Sequence, residues 1–253
     1  MNDTEIIRHI NAGANHYIDM FGEAEHMEIC AMGAYSIVRP KPGEEGITFI
    51  YNIDVDDLDA AQQQTVAKEI RALGIPFWLD LDVSDDVFTL FFNKDKPHGQ
   101  TEFAANDEQY LAMLPSEFVR CADSQKVVEV HTPEEFAVWA KLSNDLLADG
   151  HQDIHPVHHF NLVKRDLMRC YILYVDEKPV SVAATMDSRG IVSLELVGTL
   201  PAFRKNGYAK AVCAVAIRDA IDSQCRLLTV RANSAASARI YRSLGFKVYN
   251  HAL

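Results

Sequence analysis

Residues 196–217 read LVGTLPAFRKNGYAKAVCAVAI. An apolar, β-rich run passes through a short loop holding Arg204, Lys205, Asn206 and Gly207, then straight into a segment with helical apolar spacing. That order builds an anion site. The first backbone N–H groups of a helix lack intrahelical partners, the helix dipole adds partial positive charge, and a small residue lets a phosphate approach the backbone. Gly207 supplies conformational freedom, Ala209 a small side chain, and Arg204 and Lys205 charge, so a pyrophosphate suits the loop. Taken by itself, the loop reads equally as a solvated strand-to-helix turn with two basic residues. It is neither a GxxxxGK[ST] loop nor a three-glycine dinucleotide fingerprint.

The flanking sequence reads as mixed α/β. KVVEVHT (126–132) alternates as a strand, and Pro133 opens a helix whose stripe is Phe136, Ala140, Leu142, Leu146 and Leu147, capped by Thr132. RCYILYVD (169–176) and PVSVAATMD (179–187) form a hairpin, and IVSLELVGTL (191–200) continues as a third strand. A helix over 207–223, a buried strand RLLTVRA (226–232), a helix over 234–244 stopped by Gly245 and a last strand over 246–253 complete the half.

A chain of 253 residues has room for two domains. With 48% hydrophobic and 24% charged residues it has the composition of a globular protein, and no apolar run approaches the roughly 20 residues of a membrane span. The start, MNDTEIIRHINAG, lacks the features of a signal peptide, so a cytoplasmic location is expected. Cys30, Cys121, Cys170, Cys213 and Cys225 are scattered without CxxC spacing, which argues against a disulfide framework or a zinc site. The net charge of −12 is unevenly spread: residues 1–118 carry 7 Lys+Arg against 22 Asp+Glu, and residues 119–253 carry 17 against 14. The acidic half repels nucleic acid, whereas the mildly basic half suits a phosphorylated ligand. A boundary between 118 and 119 is the corresponding expectation.

The first half echoes the second at a displacement of about 150 residues without a gap. ITFIYNID (47–54) falls on 197–204, LDAAQQQTVAKEIRALG (58–74) on the helix after Gly207, PFWLDLD (76–82) on RLLTVRA, and SDDVFTLFF (84–92) on the helix after Asn233. Residue by residue, Arg204 to Gly207 fall on Asp54, Val55, Asp56 and Asp57, and Tyr241 on Phe91. Carboxylates repel a pyrophosphate and a phenylalanine has no proton to give, so the first half is expected to hold no cofactor.

The hexapeptide Arg204-Lys205-Asn206-Gly207-Tyr208-Ala209 resembles the [QR]-x-x-G-x-[GA] signature of the GNAT (GCN5-related) N-acetyltransferases. The fuller GTLPAFRKNGYA, with Pro201 three residues before Arg204, is similar to the TLPxxR variant of FR47-like members and glycine N-acyltransferases. About 25 residues on, Asn233, Ala236, Tyr241, Gly245 and Phe246 match the family's N-x-x-A-x-x-x-x-Y-x-x-x-G-F motif. The resemblance covers roughly 126–253. It implies a GNAT fold, a mostly antiparallel sheet with a parallel splayed pair, in tandem with a degenerate first copy over 1–118 and a catalytic domain over 119–253.

By that resemblance, acetyl-CoA or another acyl-CoA is the co-substrate, no metal is needed, and the acceptor is a primary amine of a small molecule, amino acid or peptide. Direct attack on the thioester is expected, in a monomer or homodimer without nucleic-acid or membrane partners. Backbone groups of Leu196, Val197 and Thr199 would meet the pantetheine and thioester, residues 204–209 the pyrophosphate, and the Asn233 amide the CoA arm. Asn233 also reads as a helix N-cap, in competition with Ser234. Tyr241 is the candidate acid for the leaving thiolate. Glu195 is the candidate base, since alternation puts it in phase with Val197 and Thr199 and opposite to Leu194 and Leu196. A histidine of 151–159 (His151, His155, His158, His159) or water is the alternative base. A non-catalytic acyl-CoA-binding regulator is the alternative function.

Overall fold

A computed structural model describes residues 1–93, 109–121, 126–146 and 154–249. They form two compact units, residues 1–93 and residues 109–249.

In the first unit, α1 (Asp3–Gly22) starts at an Asn2–Glu5 capping box and buries Ile6, Ile10, Ala14, Tyr17 and Phe21 at helical spacing. β1 (Met27–Ala31), β2 (Ser36–Pro40) and β3 (Phe49–Tyr51) form an antiparallel sheet in that order. α2 (Ala60–Leu73) and α3 (Asp85–Phe92) follow and share a core with Ile37, Ile50, Ile70, Leu79 and Phe91. PFWLDLD, expected as a strand, makes a single parallel rung between Phe77 and Ile50, closed by Ile50 N–H to Pro76 and Trp78 N–H to Ile50. Past that rung, polar groups of α1 take the place of a partner strand.

The second unit contains β4 (Gln109–Met113), β5 (Lys126–Glu129), α4 (Pro133–Leu146), α5 (Phe160–Lys164), β6 (Met168–Val175) and β7 (Lys178–Ser188). β8 (Ile191–Thr199), α6 (Tyr208–Asp222), β9 (Leu227–Ala232), α7 (Ala235–Arg242) and β10 (Lys247–Val248) complete it. The sheet order is β10-β4-β9-β8-β7-β6-β5, antiparallel except for the parallel pair β8 and β9. This is the mixed sheet with one parallel pair that the family resemblance implies. α6 packs Val212, Cys213, Ala216 and Ile217 on the face carrying Val192, Leu194, Leu228 and Val230. α4 covers the opposite face with buried Phe136, Trp139 and Ala140.

The boundary expected at residue 118 does not follow the sheet. β4 lies before it, yet pairs with β9 from Gln109↔Ala232 to Met113↔Leu228. Charge counts miss this because QYLAM is an uncharged strand buried in the second sheet. Gly245, at φ +112°, ends the turn after α7; a Cβ there would collide with the Glu117 carbonyl oxygen and lie 2.9 Å from Met113 Sδ.

Gly245→Ala is therefore expected to cost about 1–3 kcal/mol in the second unit. The two tryptophans fall one per unit, Trp78 in the first and Trp139 in the second. In urea unfolding of protein labelled with 5-fluorotryptophan, the Trp139 resonance should report a lower midpoint and the Trp78 resonance none.

Candidate active site

β8 and β9 pair from Ile191↔Leu227 to Leu194↔Val230 and then part, although β8 runs on to Thr199 and β9 to Ala232. The parting coincides with a bulge. Leu196 has φ +52°, and β7 registers Ala184 with Glu195 but Val182 with Gly198, so Ala183 has no partner on β8. A leucine in the left-handed region is costly, about 1–2 kcal/mol, and persists only where surrounding contacts hold it. Here Trp139 Nε1 donates to the Ala183 carbonyl at 3.1 Å, and Ser181 Oγ donates to the Gly198 carbonyl at 2.7 Å. The fork thus has a fixed origin.

The bulge corrects the expected alternation. Glu195 pairs with Ala184 and shares a face with Gly198, whereas Thr199 pairs with Ser181 on the other face, its hydroxyl 2.8 Å from Ser181 Oγ. Glu195 and Thr199 are therefore on opposite faces. The Glu195 carboxylate is buried and meets Arg231 Nη2 at 3.2 Å.

After β8, the turn Pro201–Phe203 leads into an exposed loop. Arg204 Nε donates to the Thr199 carbonyl at 3.1 Å, tying the loop to the end of β8. The Asn206 amide donates to the carbonyls of Phe203 and Arg204, each at 3.2 Å, and so braces the loop from within. Gly207 is the N-cap of α6 at φ +81°, and no side chain caps the helix there. The N–H groups at the start of α6 thus face outward beside Arg204 and Lys205, with the small Ala209 in the first turn. Tyr208 is half-buried against Phe203.

α7 starts at Ser234, which accepts from Ser237 N–H at 3.2 Å. Ser234 is therefore the cap, and the Asn233 amide stays exposed beside it, its Oδ1 3.5 Å from Ser237 Oγ. Tyr241 is buried in the core on the α6 face, edge-on to Phe246. Burial, then the neighbouring Cys213 and Glu195, raises its pKa well above the ordinary phenol value, so it keeps its proton. The sequence-predicted residues thus gather around the end of the β8–β9 pairing. Arg231, which sequence reasoning missed, joins them; its one local mark is a charge at the end of the apolar run RLLTV.

The histidines serve their own turn. His155 N–H donates to His159 Nδ1 at 2.9 Å, and the N–H groups of Val157 and His158 donate to His155 Nδ1 at 3.3 Å. His151 lies outside the described residues.

In the first unit the comparable place is differently filled. Asn52, two residues past the rung at Ile50, has φ +52°, just as Leu196 does two residues past Leu194. Asn52 N–H donates to Asn15 Oδ1 at 3.1 Å and Leu81 N–H to Asn11 Oδ1 at 3.0 Å, so α1 side chains take up both backbones. The N-terminus of α2 is closed as well: Asp59 accepts from the N–H of Ala61 and Gln62, each at 2.9 Å. Leu196 follows Asn52 by 144 residues but Gly207 follows Asp59 by 148, so aligning the two units on these features needs a gap, contrary to the ungapped displacement.

Asp80 accepts from Trp78 Nε1 at 3.1 Å and from Asn15 Nδ2 at 3.4 Å. Burial raises its pKa; these hydrogen bonds oppose the rise, while the charges of Asp82 and Asp56 add to it. The folded unit then binds the proton more tightly than the unfolded chain, so this group's contribution to stability falls as pH rises above the ordinary aspartate value. Asp80→Asn, which keeps an acceptor, is expected to raise the unfolding midpoint of the first unit at pH 7. The gain should vanish as pH falls toward 4, read from the Trp78 fluorine resonance.

A family model described as the acetyltransferase (GNAT) family matches residues 124–246. The fold is similar to that of a GCN5-related N-acetyltransferase from Kribbella flavida, with 18% identity, a TM-score of 0.63, and coverage of 94% of this chain and 92% of that one. It is also similar to a GCN5-related N-acetyltransferase-like protein from Streptococcus suis, with 12% identity, a TM-score of 0.55, and coverage of 97% and 94%. At these identities the likeness is one of fold, and it extends over both units. A search of curated proteins found no match.

Proposed function

Through residues 124–246 the chain belongs to the acetyltransferase (GNAT) family, and from that premise we propose that it transfers an acyl group, most simply acetyl, from acyl-CoA to a primary amine. The observation that carries this reading is the junction of a strand fork with an uncapped helix N-terminus. In the proposal, the backbone of Leu196, Val197 and Thr199 lines the pantetheine arm, and a donor at the bulge stabilises the oxyanion of the attacked carbonyl. The N–H groups of Gly207, Tyr208 and Ala209 bind the pyrophosphate, Arg204 and Lys205 add charge, Asn206 shapes the loop, and the Asn233 amide reaches the CoA arm.

Glu195 then accepts a proton from the acceptor ammonium, and the freed amine attacks the thioester carbonyl directly. Tyr241 donates to the departing thiolate; its raised pKa keeps the donor form populated throughout the neutral range. The acceptor is a small molecule, amino acid or peptide, and the protein acts in the cytoplasm as a monomer or homodimer. Among the described residues, no helix is long and apolar enough to cross a membrane.

The first unit, in this reading, is a degenerate copy without a cofactor site. Support comes from the positive-φ residue after its single parallel rung, from the asparagines that occupy its fork, and from the Asp59 carboxylate that closes its helix. Phe91 stands on α3 where Tyr241 stands on α7.

Thermal unfolding with CoA and acetyl-CoA tests the reading. Ligand at about 100 times its Kd should stabilise the second unit by about 2.7 kcal/mol, and Arg204→Glu should remove most of that. No stabilisation by any CoA would overturn it. Acetyl transfer across a panel of primary amines then separates an enzyme from an acyl-CoA-binding regulator. Tyr241→Phe is expected to lower kcat about 100-fold while CoA still stabilises the protein.

A further inference from the structure

Beyond the rung Leu194↔Val230, the next residue of each strand carries a charge: Glu195 on β8 and Arg231 on β9. Both continue the side of the pair that carries Ser193 and Thr229, which are themselves buried and register with each other. One face of β8 and β9 is therefore apolar, against α6, whereas the other passes from the apolar rung Ile191↔Leu227 through the polar rung Ser193↔Thr229 to an ion pair where the strands separate. The pair is enclosed: its side chains are 8% exposed for Glu195 and 21% for Arg231.

Stability alone is a poor account of that pair. Desolvating two charges offsets most of their attraction, and apolar residues of similar volume often serve as well or better. Its position is the informative feature. A carboxylate this deep is driven toward its neutral, non-basic form by burial, and a guanidinium in contact opposes that. The fixed planar fork of the guanidinium also limits the orientations open to the carboxylate.

We infer that Arg231 is a positioning residue, whose guanidinium keeps Glu195 ionised and turned into the opening between β8 and β9. This rests on the reading of Glu195 as the base. The step it serves is balanced: an N–H bond of the acceptor ammonium breaks, an O–H bond forms on Glu195, and the electron pair stays on nitrogen for attack. Tyr241 of α7 is an ionisable group that Glu195 acts on, Tyr110 of β4 registers with Arg231, and α4 presents Leu146 on this side, against Gly198. Because the Glu195 charge disfavours a tyrosinate, Arg231 secures both proton states at once: an ionised base and a protonated acid.

The test follows Glu195 itself by carbon NMR of glutamate-labelled protein, with Glu195→Gln assigning the signal. Arg231→Met should move the titration midpoint of the carboxyl up by about 1–3 pH units, and Arg231→Lys by less. The acidic limb of kcat, measured with acetyl-CoA and the best acceptor of the amine panel, should move in the same direction, and Arg231→Lys should recover part of the rate. Stabilisation by CoA shows that each variant is folded. An unchanged midpoint and limb in folded Arg231→Met, with Glu195→Gln impaired, would overturn the role of Arg231 alone. Wild-type turnover by Glu195→Gln would instead remove Glu195 as base, and the inference with it.

Discussion

The second unit turns on one irregularity, the bulge at Leu196 and Val197. A regular β8 would continue pairing with β9 to the ends of both strands and leave no opening. The bulge inserts an extra residue opposite β7, rotates the strand and stops the parallel ladder at Leu194↔Val230. A leucine at φ +52° does not hold itself there, and two side chains answer for it. The Trp139 indole takes the carbonyl of the skipped Ala183, and the Ser181 hydroxyl takes that of Gly198. Buried backbone polar groups must be paired, so these bonds are what make the open form the stable one.

The same requirement explains the difference between the units. Each has a positive-φ residue two positions past a parallel rung, and each places a helix after it. In the first unit, backbone donors at the comparable place have internal acceptors: Asn15 for Asn52, Asn11 for Leu81, and Asp59 for Ala61 and Gln62 in the first turn of α2. In the second, Gly207 has no side chain to give, and the helix start stays available. A ligand that must accept hydrogen bonds from backbone can enter the second arrangement without first displacing a protein group. In the first it would have to break satisfied bonds and approach Asp56, Asp80 and Asp82, whose charges already oppose one another.

Strand, loop and helix around Gly207 were legible because their signals are local: apolar spacing, a positive-φ glycine and a run of basic residues. The meander of β6, β7 and β8 was legible for the same reason. β4 was not, because its partner β9 lies more than a hundred residues away and nothing in QYLAM announces it. Nor was the bulge: LELVGT alternates acceptably as a plain strand, and that alternation assigns Thr199 to the face of Glu195. Arg231 and Glu195 are 36 residues apart, and only the parallel register brings them together. Asn11 and Asn15 read as polar positions on a helix until the fork they fill is known.

Acid and base chemistry in one enclosed place requires two groups with opposite resting proton states. Burial alone cannot supply them, because it drives a carboxylic acid and a phenol alike toward the protonated form. That suits Tyr241, whose pKa burial raises, and works against Glu195. With Glu195 as the proposed base and Tyr241 as the proposed acid, a cation must act on Glu195 and not equally on Tyr241. Arg231 meets that condition by register: it sits beside Glu195 on the polar side of the strands, while Tyr241 packs in the apolar core with Phe246 and α6. In the proposed mechanism, the alternation of β8 and β9, which sets Leu194 and Val230 on the α6 side and Glu195 and Arg231 on the other, becomes a division of proton states at the point where the strands part.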